Sequence, residues 1–225
     1  MSNLTTARFF GVLWLMSSFS YMAASSLLGE FFSSPDYLMQ LFPNKLTITT
    51  AVMLEFVNSV AVVGMAIVIY PIVKKYSEHV AVSYVVFRLI EAIMLLVGAA
   101  ALLSLVNLSK ELIETTASNV DYLHTMASII RKGRYVDFQL GMIPLSICGF
   151  ILAVTFFQYR IVPRAFSVLG MVGYFALFLK IMFDFYAVSL GGQWLYLPGA
   201  LFELSLPFWL FVKGFNLKEM PSNER

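Results

Sequence analysis

Six runs of about twenty or more predominantly apolar residues follow one another along this chain, at about 8–28, 47–73, 80–106, 137–159, 165–189 and 194–214. A helix needs about 20 apolar residues to cross the hydrocarbon of a bilayer, and a backbone in that setting must satisfy its own hydrogen bonds. The pattern therefore predicts an all-α, polytopic membrane bundle of six spans, forming a single membrane domain over 1–225. Punctuation between the runs supports the count: Ser33-Ser34-Pro35-Asp36, Lys74-Lys75-Tyr76-Ser77-Glu78, Arg160-Ile161-Val162-Pro163-Arg164 and Gly191-Gly192.

Composition closes off other classes. Sixty per cent of the 225 residues are hydrophobic and only 12% charged, about half the charge of a soluble domain. No dense basic patch interleaves with aromatic residues, so no nucleic-acid partner is expected. Cys148 is the single cysteine, and His79 and His124 are the two histidines. That set cannot supply a disulfide, a thiolate metal cluster, a bis-histidine haem stack or a three-histidine zinc site. No metal and no cofactor is expected. Arg8 before an apolar run ending in Ala23-Ala24-Ser25 has some features of a signal peptide, but the apolar run continues to about Leu28, and a retained first helix is the expectation.

Orientation follows from Lys and Arg beside the spans. Arg8, Lys74, Lys75, Arg160, Arg164, Lys213 and Lys218 fall on one side, in short loops and tails; Lys45, Lys110, Arg131, Lys132 and Arg134 fall on the other. Both termini are expected in the cytoplasm. The long stretch 108–136 then lies outside. Leu112, Thr116, Val120, Leu123, Ala127 and Ile130 recur there at helical spacing, predicting an amphipathic loop helix between spans three and four, with Ser109 as N-cap and Arg131-Lys132-Gly133 as its end. Its expected place is the bilayer surface. Trp194, Tyr196, Tyr70 and Tyr159 suit interfacial belts.

Ionisable groups inside the apolar runs carry the functional signal. They are Glu55, Arg88, Glu91, Lys180, Asp184 and Glu203. Such groups cost about 2.5–3.5 kcal/mol at a helix centre, so they face protein or water-filled cavities and mark function by default. Asn58 and Ser59 share a helix face with Glu55; Tyr84, Arg88 and Glu91 form one stripe; Lys180 and Asp184 are four apart. Glu203 precedes Pro207 by four residues, and a proline there frees the carbonyl of Glu203. Four carboxylates against two cations leave a surplus of acid, which asks for a bound proton or a cationic ligand. Glu55 and Glu203 stand out because neither has a basic partner on its own helix. Depth counted along the helices lets the acids converge on one cavity open to the non-cytoplasmic side.

The serines of span one (Ser17, Ser18, Ser20, Ser25, Ser26) and Gly170, Gly173 and Tyr174 of span five read as packing positions. The twelve methionines read as core filler.

Leu54-Glu55-Phe56-Val57-Asn58, Phe87-Arg88-Leu89-Ile90-Glu91, and Leu197 to Leu204 followed by Trp209 and Lys213-Gly214-Phe215 resemble the bacterial membrane family designated domain of unknown function 4386. The resemblance covers about spans two to six. It implies a bacterial six-helix integral membrane protein and supplies no activity.

Three functional readings remain open. The leading one is a small-solute or proton-coupled binding or transport pocket for a small cationic or lipid-soluble ligand, with Glu55, Asn58, Arg88, Glu91, Lys180, Asp184 and Glu203 as candidate substrate- or proton-binding residues. The second is a structural, sensory or accessory protein whose buried pairs only fasten helices. The third is an intramembrane enzyme using carboxylates as acid and base on a lipid-soluble substrate. The GxSxG, HExxH and paired-thiol patterns of familiar intramembrane enzymes are missing, and no catalytic residue is assigned.

Overall fold

The structure is a computed structural model that describes residues 3–114, 120–188 and 192–217. Its helices are α1 (Asn3–Phe32), α2 (Tyr37–Leu41), α3 (Lys45–Val73), α4 (Glu78–Glu114), α5 (Val120–Tyr159), α6 (Arg164–Phe185) and α7 (Leu197–Lys213), with a 3₁₀ turn at Gly192–Tyr196 leading into α7. No strand occurs among the described residues. Six of these helical segments are long and apolar enough to cross a membrane: the chain is an all-α, multi-pass membrane protein.

Two features differ from the sequence reading. The stretch 120–130 is helical with Leu123 and Ala127 buried, but it runs without a break into span four as the opening segment of α5. Gly133 does not end it, because one exposed glycine inside a helix costs only about 1 kcal/mol. Ser109 is no N-cap either. It lies within α4, fully buried, and its Oγ accepts a hydrogen bond from the Phe42 backbone N–H at 2.8 Å. Thr116, Gly191 and Lys218, and the expected end of span five at 189, lie outside the described residues. The short helix α2 is a second difference, formed where Pro35-Asp36 ends the turn after α1.

The chain divides into two compact units, residues 1–15, 64–87 and 145–225, and residues 16–63 and 88–144. The first unit holds α6, the 3₁₀ turn and α7, with parts of α1, α3, α4 and α5. An aromatic chain forms its core: Phe10 meets Trp14 edge-on at 5.3 Å, Trp14 meets Phe202 at 5.6 Å, and Phe202 meets Tyr174 at 5.8 Å. Glycine makes the helix crossings possible. A Cβ on Gly173 would sit 2.7 Å from the Cα of Gly199, and one on Gly149 would sit 2.6 Å from the Tyr174 ring. Backbones approach this closely in membrane bundles because small residues gain contact there.

The second unit is built on Leu28 of α1, Leu38 and Leu41 of α2, Ile48 and Val52 of α3, Leu102, Leu105 and Leu112 of α4, and Leu123 and Ala127 of α5. The ends of α4 and α5 are thus packed into a core, which is why 108–136 does not lie apart as a surface helix. Arg131 closes this unit. Its guanidinium donates to the Phe32 carbonyl at the end of α1 (2.8 Å) and lies 5.0 and 4.8 Å from the Phe32 and Tyr37 rings. Burial raises the Tyr37 pKa, opposed by the Arg131 charge.

Candidate functional site

The second unit carries a polar site at Glu55. Its α3 helix presents Glu55 and Asn58 on one face, as three-residue spacing requires, and both are 5% exposed. The carboxylate of Glu55 is bound by the guanidinium of Arg134 on α5 in a direct ion pair. From α1, Ser17 donates its hydroxyl proton to Asn58 Oδ1 at 2.6 Å, and the Ser20 hydroxyl turns back to the Ser17 carbonyl. Ser59 donates to the carbonyl of Glu55 at 3.0 Å.

Glu55, Asn58 and Arg134 line a small cavity with Tyr21, Leu95, Gly98 and Phe138. Tyr21 stacks on Phe138, ring centroids 5.7 Å apart and nearly parallel. The cavity is about 10 Å³, room for one water molecule. Nε of Arg134 finds no hydrogen-bond acceptor among the described residues. The Arg134 stem passes Gly98 at ordinary contact distance: a Cβ there would lie 3.6 Å from Arg134 Cγ.

The other candidates are placed as follows. Arg88 and Glu91, in the second unit, pair within α4 at 2.8 Å, their side chains only 6% and 3% exposed. Neither lines the cavity at Glu55. Gly141 of α5 lies against this part of α4: a Cβ on it would sit 3.5 Å from the Glu91 carbonyl oxygen. Lys180, Asp184 and Glu203 belong to the first unit. Lys180 binds Asp184 within α6 and lies 5.7 Å from the centre of the Tyr196 ring. Glu203 is half-buried on α7, where Ser205 donates to the Leu201 carbonyl at 2.6 Å and Pro207 is buried.

Among the seven candidates, Glu55 and Asn58 line one cavity, Arg88–Glu91 and Lys180–Asp184 pair within their own helices, and Glu203 stands on α7. Arg134 is the residue that sequence reasoning misses. The pattern puts it in the external loop, beyond the Arg131-Lys132-Gly133 helix end. A helical count from Arg134 to Phe138 and Gly141 is the signal that places it on an inward face of a longer span four. Its charge also reduces the expected surplus of acid to four carboxylates against three cations. Ser17 is the second addition: a packing position by composition, it is also the donor to Asn58.

The described residues hold no group of three His, Cys, Asp or Glu side chains able to bind a metal ion. Neither the curated proteins nor the solved structures contain a match to the chain. A family model does match it, over residues 9–214 and so over most of its length, and by that match the chain belongs to the family described as Domain of unknown function (DUF4386).

Proposed function

We propose that this membrane protein is a proton-coupled binding or transport protein, with Glu55 as the group that takes up and releases the proton. The observation behind this reading is a carboxylate–guanidinium pair joining two spans, Glu55 on α3 and Arg134 on α5, beside a cavity of water size, apolar for the most part, that Glu55, Asn58 and Arg134 line. A cavity of this volume admits a proton carried by water and is too small for an organic cation. Protonation of Glu55 removes the counter-charge of Arg134, so proton occupancy and the α3–α5 link are coupled, and a ligand shifts an equilibrium only through such a difference between states. Asn58, held by Ser17, supplies a neutral hydrogen-bonding group beside the carboxylate. Glu55 lies about ten residues, or roughly 15 Å, into α3, a depth that suits access from the non-cytoplasmic side in an orientation with cytoplasmic termini.

A second reading has its own support. Glu55, Glu91 and Asp184 each engage a cation directly, which suits a bundle fastened by ion pairs. Reconstitution of the full chain in vesicles holding a pH-sensitive dye separates the two. Under the proton reading the protein moves protons down an imposed gradient, and both Glu55→Gln and the charge-neutral double variant Glu55→Gln/Arg134→Gln stop it, the double variant keeping its unfolding midpoint near that of the native chain. Proton movement equal to that of empty vesicles, with no carboxylic-acid infrared band that disappears in Glu55→Gln, sinks the proton reading and leaves the fastening one.

A further inference from the structure

One end of the first unit gathers short segments from distant parts of the chain. The Asn3 side chain donates to the Phe215 carbonyl at 2.7 Å and Arg8 to the Phe211 carbonyl at 3.1 Å. The Asn216 N–H donates to the Ile161 carbonyl at 2.7 Å, and the Tyr76 and Tyr159 rings meet at 4.6 Å. These contacts bring together the start of α1, the α3–α4 turn, the α5–α6 turn and the segment after α7. Six cations stand on the described residues of those segments: Arg8, Lys74, Lys75, Arg160, Arg164 and Lys213, all exposed. The one carboxylate among the same described residues is Glu78, which Lys74 binds at 2.8 Å. Lys74 also lies 5.7 Å from the Tyr70 ring, and Arg164 lies 5.0 Å from the Phe157 ring.

Cations set among aromatic rings at the end of membrane-spanning helices occupy the headgroup level of a bilayer. We propose that this basic end is a binding surface for acidic phospholipid headgroups, their phosphates held by Arg160, Arg164, Lys75 and Lys213. Charge complementarity names the ligand: a leaflet rich in anionic lipid favours a membrane-proximal Lys or Arg by about a factor of five in affinity each, and among the described residues of this end Glu78 alone opposes it. Arg160 adds a local argument. It sits at φ 55° just after α5, with the Ile161 N–H returning to the Phe156 carbonyl at 3.1 Å. That left-handed position ordinarily falls to glycine, so an arginine there places a charge on this surface at a conformational cost.

The test uses the full chain purified in a neutral detergent, with its thermal unfolding midpoint followed against added phosphatidylglycerol, phosphatidylcholine or inorganic phosphate. Phosphatidylglycerol raises the midpoint, and the other two leave it in place. Arg160→Gly, which suits the backbone and so keeps the fold, weakens the apparent lipid affinity about fivefold, and adding Arg164→Gln weakens it about fivefold again. Should the double variant fold poorly, Lys75→Gln replaces Arg164→Gln with the same expected loss. An equal rise with phosphatidylcholine, an equal rise with inorganic phosphate, or variants that bind phosphatidylglycerol as the native chain does would each overturn the proposal.

Discussion

At the scale of the residue, glycine positions separate close approach from open space. Gly173→Ala drives a methyl group to 2.7 Å from the Gly199 backbone, which cannot yield as a side chain can. Gly149→Ala drives one to 2.6 Å from the Tyr174 ring, itself buried. Overpacking of this kind costs about 1–3 kcal/mol, and Gly173→Ala is expected at or above the upper end. Gly98→Ala meets nothing closer than 3.6 Å and gains helix propensity, so it is expected to be neutral or slightly stabilising. Unfolding titrations in mixed SDS and neutral detergent would rank the three; a Gly173→Ala as stable as the native chain would contradict the packing described. Ala187 poses the opposite case. At φ 54°, with the Val188 N–H on the Phe183 carbonyl at 2.8 Å, it closes α6 in a left-handed conformation. Ala187→Gly is expected to stabilise by roughly 0.5–1 kcal/mol, the relief of strain being partly offset by the extra freedom of glycine in the unfolded chain. The same scale shows what sequence reading can reach. Arg88–Glu91 and Lys180–Asp184 are legible from spacing alone, because three- and four-residue intervals fix which side chains meet on one helix. Glu55–Arg134 is not legible that way: its partners lie 79 positions apart, and only the packing of α3 against α5 selects them.

Among the elements, α4 and α5 depart furthest from the sequence reading. At 37 and 40 residues they are about 55 and 60 Å long, well beyond the roughly 30 Å of bilayer hydrocarbon. The apolar runs 80–106 and 137–159 mark only the membrane-crossing part of each. The polar residues of 108–136 hide the continuity because Arg131-Lys132-Gly133 carries the usual marks of a helix end, and because the buried positions Leu112, Leu123 and Ala127 are spaced too widely to read as one span. Exposure on these helices therefore has two meanings. Val82, Val86, Ile93 and Val97 form an exposed apolar stripe on α4, suited to lipid, whereas Tyr122 and Ile129 of α5 are each 65% exposed next to charged neighbours, suited to water. Cys148 is buried, so single-cysteine labelling has a silent background. Tyr122→Cys and Ile129→Cys are expected to react with a water-soluble maleimide, and Ile93→Cys and Val97→Cys to resist it. Labelling of Val97→Cys as fast as Tyr122→Cys would place that part of α4 outside the membrane.

For the whole molecule, six segments are long and apolar enough to cross a membrane, and six crossings would bring the start of α1 and the end of α7 to one side. The proposed orientation, with those ends cytoplasmic, rests on the cations. Lys74, Lys75, Arg160 and Arg164 stand in short connections, where the charge rule is strongest, and Lys213 closes α7. In the second unit Arg131 and Arg134, which the sequence pattern assigns to the other side, are each committed to a protein partner, Arg131 to the Phe32 carbonyl and Arg134 to Glu55. Two of the three basic residues in the 131–134 cluster are thus tied into the fold, which supports the proposed orientation. In intact bacterial cells expressing the chain, an impermeant maleimide is expected to label Tyr122→Cys directly and to reach Asn216→Cys, exposed after α7, only once the membrane is opened. The reverse order of labelling would invert the protein, put Glu55 within reach of the cytoplasm, and turn the basic end of the first unit away from the leaflet to which its lipid binding is assigned.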